Sequence, residues 1–234
     1  KKIIQLEIFG HDISFTNSSM AMTFTVLAII SFLYLGLRNL KIIPSKSQTL
    51  VESSYEFISS MISDNIGKEG MKYFSFILTL FLFILIGNLL GMMPYSFTWT
   101  SHIIVTFAIA FFIFLAVTFI AIYKHGLIKF LQFFAPAGVP KPMLILLVPI
   151  EIISYLSRPI SLSVRLFANM MAGHTLLKVI GSFVFVLGAN SFIIGGALPL
   201  AFLIALTGLE IVIAFLQAYV FAILTCLYIN DAIH

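Results

Sequence analysis

The feature that most constrains this chain is a series of apolar runs, each long enough to cross a membrane as an α-helix. Such a helix needs about 20 predominantly apolar residues, and the chain is 61% hydrophobic with only 9% charged residues. Its mean hydropathy is +1.12, whereas a soluble domain carries about 25% charged residues. The runs lack the alternating pattern of a membrane β-barrel. The sequence therefore predicts an all-α integral membrane protein.

We expect about six helices in a single membrane domain of residues 1–234, including one surface helix and a long tilted C-terminal hairpin. The predicted segments are a polar tail over residues 1–17, spans over 18–37, 74–93 and 103–123, a surface helix over 44–66, and hairpin arms over 143–187 and 198–229. Both arms exceed a perpendicular span, so they must tilt or bend. Pro149 and Pro159 supply bending points in the first arm. Arg158 is expected to cap such a bend or to be a structural interface charge.

The segment 44–66 is amphipathic rather than continuously apolar. Its apolar side chains fall on one helical face and its acidic side chains do not. Thr49 followed by Glu52 matches a capping box. These patterns predict a helix that lies on the membrane surface, with a polar loop as the alternative.

Lysine and arginine are concentrated in loops that would share one side of the membrane: Arg38, Lys41, Lys46, Lys68, Lys72, Lys124, Lys129 and Lys141. By the positive-inside rule, that side faces the cytoplasm or the mitochondrial matrix. The net charge of +4 is modest, so nucleic acid is not an expected partner. A single cysteine, Cys226, excludes a disulfide framework and a cysteine-based metal cluster within the chain. We expect neither a metal site nor a cofactor.

Polar residues of the last third are arranged as a mirror image about residue 191, where Gly, Asn and Ser indicate a turn. In an antiparallel helical hairpin, residues equally distant from the turn lie level with each other. The predicted level pairs are Glu151 with Asp231, Arg165 with Gln217, and His174 with Glu210. The hairpin would thus carry two carboxylates at one end, Arg beside Gln in the middle, and His beside Glu at the other end. Such an arrangement suits the movement of protons.

Arg165 is the leading functional candidate. An Arg at the centre of a membrane helix costs about 2.5–3.5 kcal/mol on insertion scales, and no acidic residue lies within one helical turn of it. Gln217 is neutral, so the counter-charge must come from elsewhere, for example from another subunit. Because Arg keeps its proton, it would act as a fixed charge; a structural charge neutralised by a neighbouring acid is the alternative. Asn169, four residues later, shares its helical face.

Titratable residues are expected near both faces of the membrane. Glu210 and Asp231 are about 31 Å apart along one helix, close to the hydrocarbon thickness. Glu151 lies toward the inner face with Asp231, and Tyr155 would extend that polar path inward. His174 lies toward the outer face with Glu210. An isolated Glu at a helix end is more often a solvated interface residue, and it is the mirrored arrangement that favours a proton path.

Three motifs resemble those of one family. The run SVRLFANMMAGH at residues 163–174 is similar to the signature of subunit a of F-type ATP synthases. GLE at 208–210 with LQAYVF at 216–221 resembles the last helix of that family, and GNLLGMMPY at 87–95 resembles an earlier element of it. The resemblance covers nearly the whole chain.

The resemblance implies a hairpin that wraps against a rotating ring of c subunits. In that family two aqueous half-channels lead protons to and from the carboxylates of the ring. The implied roles are separation of the half-channels for Arg165 with Gln217 beside it, an outer half-channel for His174, Glu210 and Asn169, and an inner half-channel for Glu151, Tyr155 and Asp231.

The implied function is that of the stationary proton-channel subunit, which couples the proton gradient to ATP synthesis and is not catalytic on its own. The implied partners are the c-ring, the peripheral stalk, other membrane-sector subunits and the lipid bilayer. His at 174 with Glu at 210 is similar to the mitochondrial and alphaproteobacterial branch, which favours the mitochondrial inner membrane, with a bacterial plasma membrane as the alternative. The rival hypotheses are a self-contained proton channel or secondary transporter, and a purely structural scaffold.

Overall fold

The computed structural model describes residues 2–4, 7–8, 11–12, 15–38, 41–93, 98–126, 141–190 and 192–233. Within these ranges the chain forms six α-helices, which confirms the predicted all-α class. They are α1 (Asn17–Leu37), α2 (Lys46–Asn65), α3 (Phe74–Gly91), α4 (Ile103–His125), α5 (Lys141–Asn190) and α6 (Phe192–Ile233). Two 3₁₀-helices, Lys68–Tyr73 and Trp99–Ser101, precede α3 and α4.

The described residues before α1 form four short strands, which the sequence analysis did not predict within the polar tail. They are β1 (Lys2–Ile4), β2 (Glu7–Ile8), β3 (His11–Asp12) and β4 (Phe15–Thr16). β1 pairs with β4 and β2 pairs with β3, both antiparallel. Strands of two or three residues are too short for a periodic pattern to reveal them.

Five helical segments are long and apolar enough to cross a membrane: Asn17–Leu37, Lys68–Gly91, Ile103–His125, Met143–Leu187 and Gly196–Ile233. Their mean hydropathies range from 1.7 to 2.9. Helix α2 is not among them, because polar and acidic side chains interrupt its sequence. Val51, Ile58 and Ile62 are buried on one side of α2, which packs against α1, α3 and α6.

The predicted capping box of α2 is wrong. The helix begins at Lys46, and Ser45 precedes it without a side-chain capping bond. Thr49 therefore lies inside the helix, where its hydroxyl donates to the carbonyl of Ser45 at 3.0 Å. Glu52 accepts a hydrogen bond from the Gln48 side chain at 2.8 Å rather than capping the helix.

Helices α5 and α6 pack against each other and form the long hairpin. With 50 residues, α5 is about 75 Å long, more than twice the hydrocarbon thickness. Pro149 and Pro159 lie inside α5, and Pro199 lies inside α6. Both helices are longer than the expected segments 143–187 and 198–229.

The core lies between α2, α3, α4 and the second half of α6, where Ile62, Phe81, Ile113 and Phe221 are almost fully buried. Small residues of α6 allow close approach of the neighbouring helices; Ala214, Ala218 and Ala222 are each 0% exposed. Helix α5 lies at the edge of this bundle. Only 6% of its most apolar window is buried, so α5 presents a long apolar face to its surroundings.

Candidate functional site

Arg165 lies near the middle of α5, and its side chain is exposed while the adjacent Leu166 is fully buried. Across the part of the chain that the structure describes, Arg165 forms neither an ion pair nor a hydrogen bond. The guanidinium is therefore held by no carboxylate of the described residues. This geometry suits a charge whose partner lies outside this chain.

Gln217 of α6 lies beside the face of α5 that carries Arg165, one helical turn from the predicted position. The Nδ2 atom of Asn169 donates to Oε1 of Gln217 at 2.8 Å. Gln217 is 3% exposed, and its Nε2 atom has no hydrogen-bond partner among the described residues. The amide nitrogen is thus a buried donor that remains available for a carboxylate or for water.

His174 and Glu210 meet across the hairpin near its turn. Nδ1 of His174 lies 3.9 Å from Oε1 of Glu210. Glu210 is 5% exposed, and neither of its carboxyl oxygens has a hydrogen-bond partner in the described chain. A cavity of about 150 Å³ extends from Glu210 to Asn169 along the interface of α5 and α6. This volume is sufficient for several water molecules.

A glycine makes room for the Glu210 carboxylate. A Cβ atom at Gly173 would lie 2.5 Å from Oε1 of Glu210 and 3.0 Å from its Cδ. The first distance is shorter than real Cβ contacts and the second is tight, so any larger residue at 173 would displace the carboxyl group. The glycine that precedes His174 in the motif thus sets where Glu210 can lie.

The predicted level pair of Glu151 and Asp231 is wrong. Oδ2 of Asp231 accepts from Nη1 of Arg158 at 3.1 Å, about two helical turns from Glu151. The prediction that residues equally distant from the turn lie level assumes two straight, parallel helix axes. Its error grows with distance from the turn, particularly in a helix that contains Pro149 and Pro159. Glu151 is half-buried and forms no ion pair with any described residue.

Two tyrosines hold the guanidinium of Arg158 in place. Its Cζ atom lies 5.4 Å from the ring centroid of Tyr155 and 5.0 Å from that of Tyr228, within the range of cation–π attraction. The hydroxyl of Thr118 on α4 donates to the carbonyl of Phe114 and lies 2.7 Å from the Tyr155 hydroxyl, which must therefore donate to Thr118. Arg158, expected as a bend cap or interface charge, links α5 to the carboxylate of α6.

The sequence analysis missed two hydroxyl partners of the site, Thr98 and Thr118. Thr98 lies in the connection before α4 and contacts Nε2 of His174 at 2.9 Å. Threonine is common in apolar helices and turns, where it also bonds to the backbone. Its partners could therefore be found only from three-dimensional structure.

The fold and the site define a class: a multi-pass helical membrane protein whose longest hairpin carries, between clusters of titratable residues, an Arg with no ion pair to any described residue. The chain belongs to the ATP synthase A chain family, whose model matches residues 19–230. The family predicted from the motifs is thereby confirmed.

Curated relatives named "ATP synthase subunit a" are similar over nearly their full length. The one from Allorhizobium ampelinum is 56% identical over 235 aligned residues, which cover 100% of this chain and 94% of the relative. The one from Pelagibacter ubique is 58% identical over 230 residues, with 98% and 92% covered. The one from Rhizobium meliloti is 57% identical over 235 residues, with 100% and 94% covered.

Proposed function

We propose that this chain is the stationary proton-channel subunit in the membrane sector of an F-type ATP synthase, where it couples the proton gradient to ATP synthesis. One observation carries the proposal: Arg165 lies mid-helix in a membrane span, exposed and without a carboxylate partner in the described ranges. Titratable side chains lie on both sides of it along the hairpin. The name shared by the relatives supports the same function.

Protons enter from the outer side of the membrane near His174 and Glu210. The buried carboxyl of Glu210 has no hydrogen-bond partner among the residues that the structure describes, which makes it a suitable site for a proton in transit. The cavity between Glu210 and Asn169 has room for water, which would carry the proton toward the rotating ring. The hydrogen bond between Asn169 and Gln217 fixes the polar lining at the end of this path.

Arg165 faces the essential carboxylates of a ring of c subunits and keeps the two half-channels apart. A ring carboxylate that has taken up a proton is neutral and can turn into the lipid. After a rotation, Arg165 favours loss of that proton, because attraction between opposite charges is much stronger in a low-dielectric medium than in water. The same fixed charge opposes a proton that would cross directly. Gln217, buried behind this face of α5, holds Asn169 through their hydrogen bond.

The released proton leaves through the inner half-channel, for which Glu151, Tyr155 and Asp231 are the candidate side chains. They lie toward the end of the hairpin opposite its turn, where Tyr155 and Asp231 both contact Arg158. The membrane potential supplies about 2.3 kcal/mol per charge per 100 mV. In this account the chain moves protons and catalyses no reaction on its own, and ATP is made elsewhere in the complex.

The proposed partners are the c-ring, the peripheral stalk, other membrane-sector subunits and the lipid around the spans. The apolar face of α5 around Arg165 is the surface offered to the ring. We further propose an energy-transducing membrane as the location. The mitochondrial inner membrane and a bacterial plasma membrane both fit, and the relatives named above are bacterial.

The rival function is a self-contained proton channel or secondary transporter. It requires a counter-acid for Arg165 within this chain, and no described carboxylate lies within ion-pair distance. The test is proton flux into vesicles under an imposed potential, with the purified chain alone, the purified c-ring alone, and the assembled membrane sector. We expect flux only with the assembled sector. Flux at the same rate with the chain alone would overturn the proposal in favour of the rival.

A further inference from the structure

The imidazole of His174 lies between two polar side chains, one at each ring nitrogen. Nε2 lies 2.9 Å from Oγ1 of Thr98, and Nδ1 lies 3.9 Å from Oε1 of Glu210. We propose that Thr98 is a positioning residue of the outer proton path, which fixes the tautomer of His174 and turns its Nδ1 atom toward Glu210. This inference rests on the proposed function, since it assigns a device within the same path.

The direction of the hydrogen bonds follows from the number of available protons. The hydroxyl of Thr98 has one proton and two partners, the carbonyl of Gly91 at 2.9 Å and Nε2 of His174. A carbonyl oxygen can only accept, so the Thr98 proton goes to Gly91. The oxygen of Thr98 must then accept from His174, which places a proton on Nε2. In the neutral imidazole, the lone pair is therefore on Nδ1, the atom that faces Glu210.

With this tautomer, His174 can take up and release a proton at the same nitrogen, Nδ1. Nδ1 takes up a proton from the outer water and forms an imidazolium. The N–H bond at Nδ1 then breaks, its electron pair stays on the nitrogen, and an O–H bond forms on the Glu210 carboxylate. The ring returns to its starting tautomer without rotating, so the next proton finds the same acceptor. With the opposite tautomer, Nδ1 would already carry a proton and could accept none.

Thr98 and the residue after it are buried against other helices. Thr98 is 7% exposed, and the adjacent Trp99 is 1% exposed, with its Nε1 donating to Oγ1 of Thr25 on α1 at 3.1 Å. A Cβ atom at Gly91 would lie 2.5 Å from Cγ2 of Thr98, so the glycine at the end of α3 permits the close approach. Three elements therefore define the position of one hydroxyl group, which is the requirement for orienting an imidazole.

The test compares Thr98→Val, which removes the hydroxyl while keeping the shape, with Thr98→Ser, which keeps it. Proton conduction through the assembled membrane sector would be measured in vesicles stripped of the soluble sector. We expect about tenfold slower conduction for Thr98→Val, as for the loss of one hydrogen bond, and a rate within about twofold of the unaltered protein for Thr98→Ser. Equal rates for Thr98→Val and the unaltered protein, or an equally slow Thr98→Ser, would overturn the assignment.

Thr106→Val is the matched control. Thr106 is fully buried at the same end of α4, but its hydroxyl bonds to backbone carbonyls at the start of that helix, including Ile103 at 3.1 Å. We expect its conduction to stay within about twofold of the unaltered rate. If Thr106→Val slowed proton conduction as much as Thr98→Val does, the loss would come from removing a buried hydroxyl from the fold. Such a result would contradict a role of Thr98 through His174.

A spectroscopic measurement covers the case in which Thr98→Val fails to assemble. The ¹⁵N shifts of His174, assigned by difference from His174→Gln in the histidine-labelled complex, report which nitrogen carries the proton. We expect a protonated Nε2 and an unprotonated Nδ1 in the neutral ring. The reverse pattern would contradict the proposal without any Thr98 variant.

Arg165→Ala, measured in vesicles that retain the soluble sector and can make ATP, separates this inference from the proposed function. Coupled ATP synthesis that survives Arg165→Ala would remove the proposed function, and the Thr98 assignment with it. If Arg165→Ala abolishes coupling while Thr98→Val conducts normally, only the assignment of Thr98 fails.

Discussion

At the scale of single residues, the site depends on small side chains as much as on charged ones. Gly173 leaves the space that the Glu210 carboxyl occupies, and Gly91 leaves the space that Thr98 occupies. The charged residues could be chosen from the sequence because a charge in a membrane span is costly. The supporting glycines and threonines carry no such cost, so the sequence alone did not reveal their partners.

Substitution of Gly173 should test the position of Glu210 directly. The Cβ atom of Gly173→Ala would displace the Glu210 carboxyl, and a displacement of about 1 Å in a reacting group can reduce a rate by up to about 100-fold. We expect proton-driven ATP synthesis in membrane vesicles to fall at least about tenfold, with the complex still assembled.

Gly181→Ala is the control on the same helix, since nothing lies within 4 Å of a Cβ atom there. It should leave the rate unchanged, because alanine is a better helix former than glycine and meets no neighbour. Equal rates for the two alanine variants would show that the Glu210 carboxyl does not need the space beside Gly173.

At the scale of helices, the hairpin was predictable near its turn and less so far from it. His174 and Glu210 lie nearer the turn than Asp231 does, and they are 3.9 Å apart at the expected level. Asp231 lies at the far end, and its partner is Arg158 instead of Glu151. A crossing angle and helix bending add to the displacement with every turn, so one constant offset cannot describe arms of 50 and 42 residues.

The ion pair between α5 and α6 should appear as coupling in a double-mutant cycle. We expect Arg158→Gln and Asp231→Asn each to slow proton-driven ATP synthesis, and the double variant to lose less than the product of the two losses. Because the Asp231 side chain is 45% exposed, the coupling free energy should be only about 0.5–1 kcal/mol. If the loss of ATP synthesis in the double variant equalled the product of the two single losses, the two side chains would not act as a functional pair.

Lys124→Gln is the corresponding control. It breaks a shorter ion pair with Glu69, at 2.8 Å, between side chains that are 41% and 61% exposed. This pair lies outside the proposed path, and solvent screens it. The rate should therefore not change; a loss comparable to that of Arg158→Gln would indicate a general effect of removing surface charge.

At the scale of the whole molecule, the length of the apolar runs was the most reliable signal in the sequence. It identified the membrane class and the spans, because the bilayer imposes its own thickness on every helix that crosses it. Local polar chemistry was less reliable, as the misplaced cap at Thr49 and the strands before α1 show. The face of α5 that carries Arg165 is complete only with a partner, so no property of this chain alone could specify what covers it.

The central claim is that Arg165 couples proton flow to the ring, and Arg165→Ala tests it most directly. Proton-driven ATP synthesis and passive proton leak would be measured in the same vesicles, with Arg38→Ala as a control for loss of an exposed positive charge at the end of α1. We predict that Arg165→Ala abolishes synthesis, with leak raised or rotation stalled, while Arg38→Ala retains synthesis. Undiminished synthesis in Arg165→Ala would contradict the account and make Arg165 a structural charge.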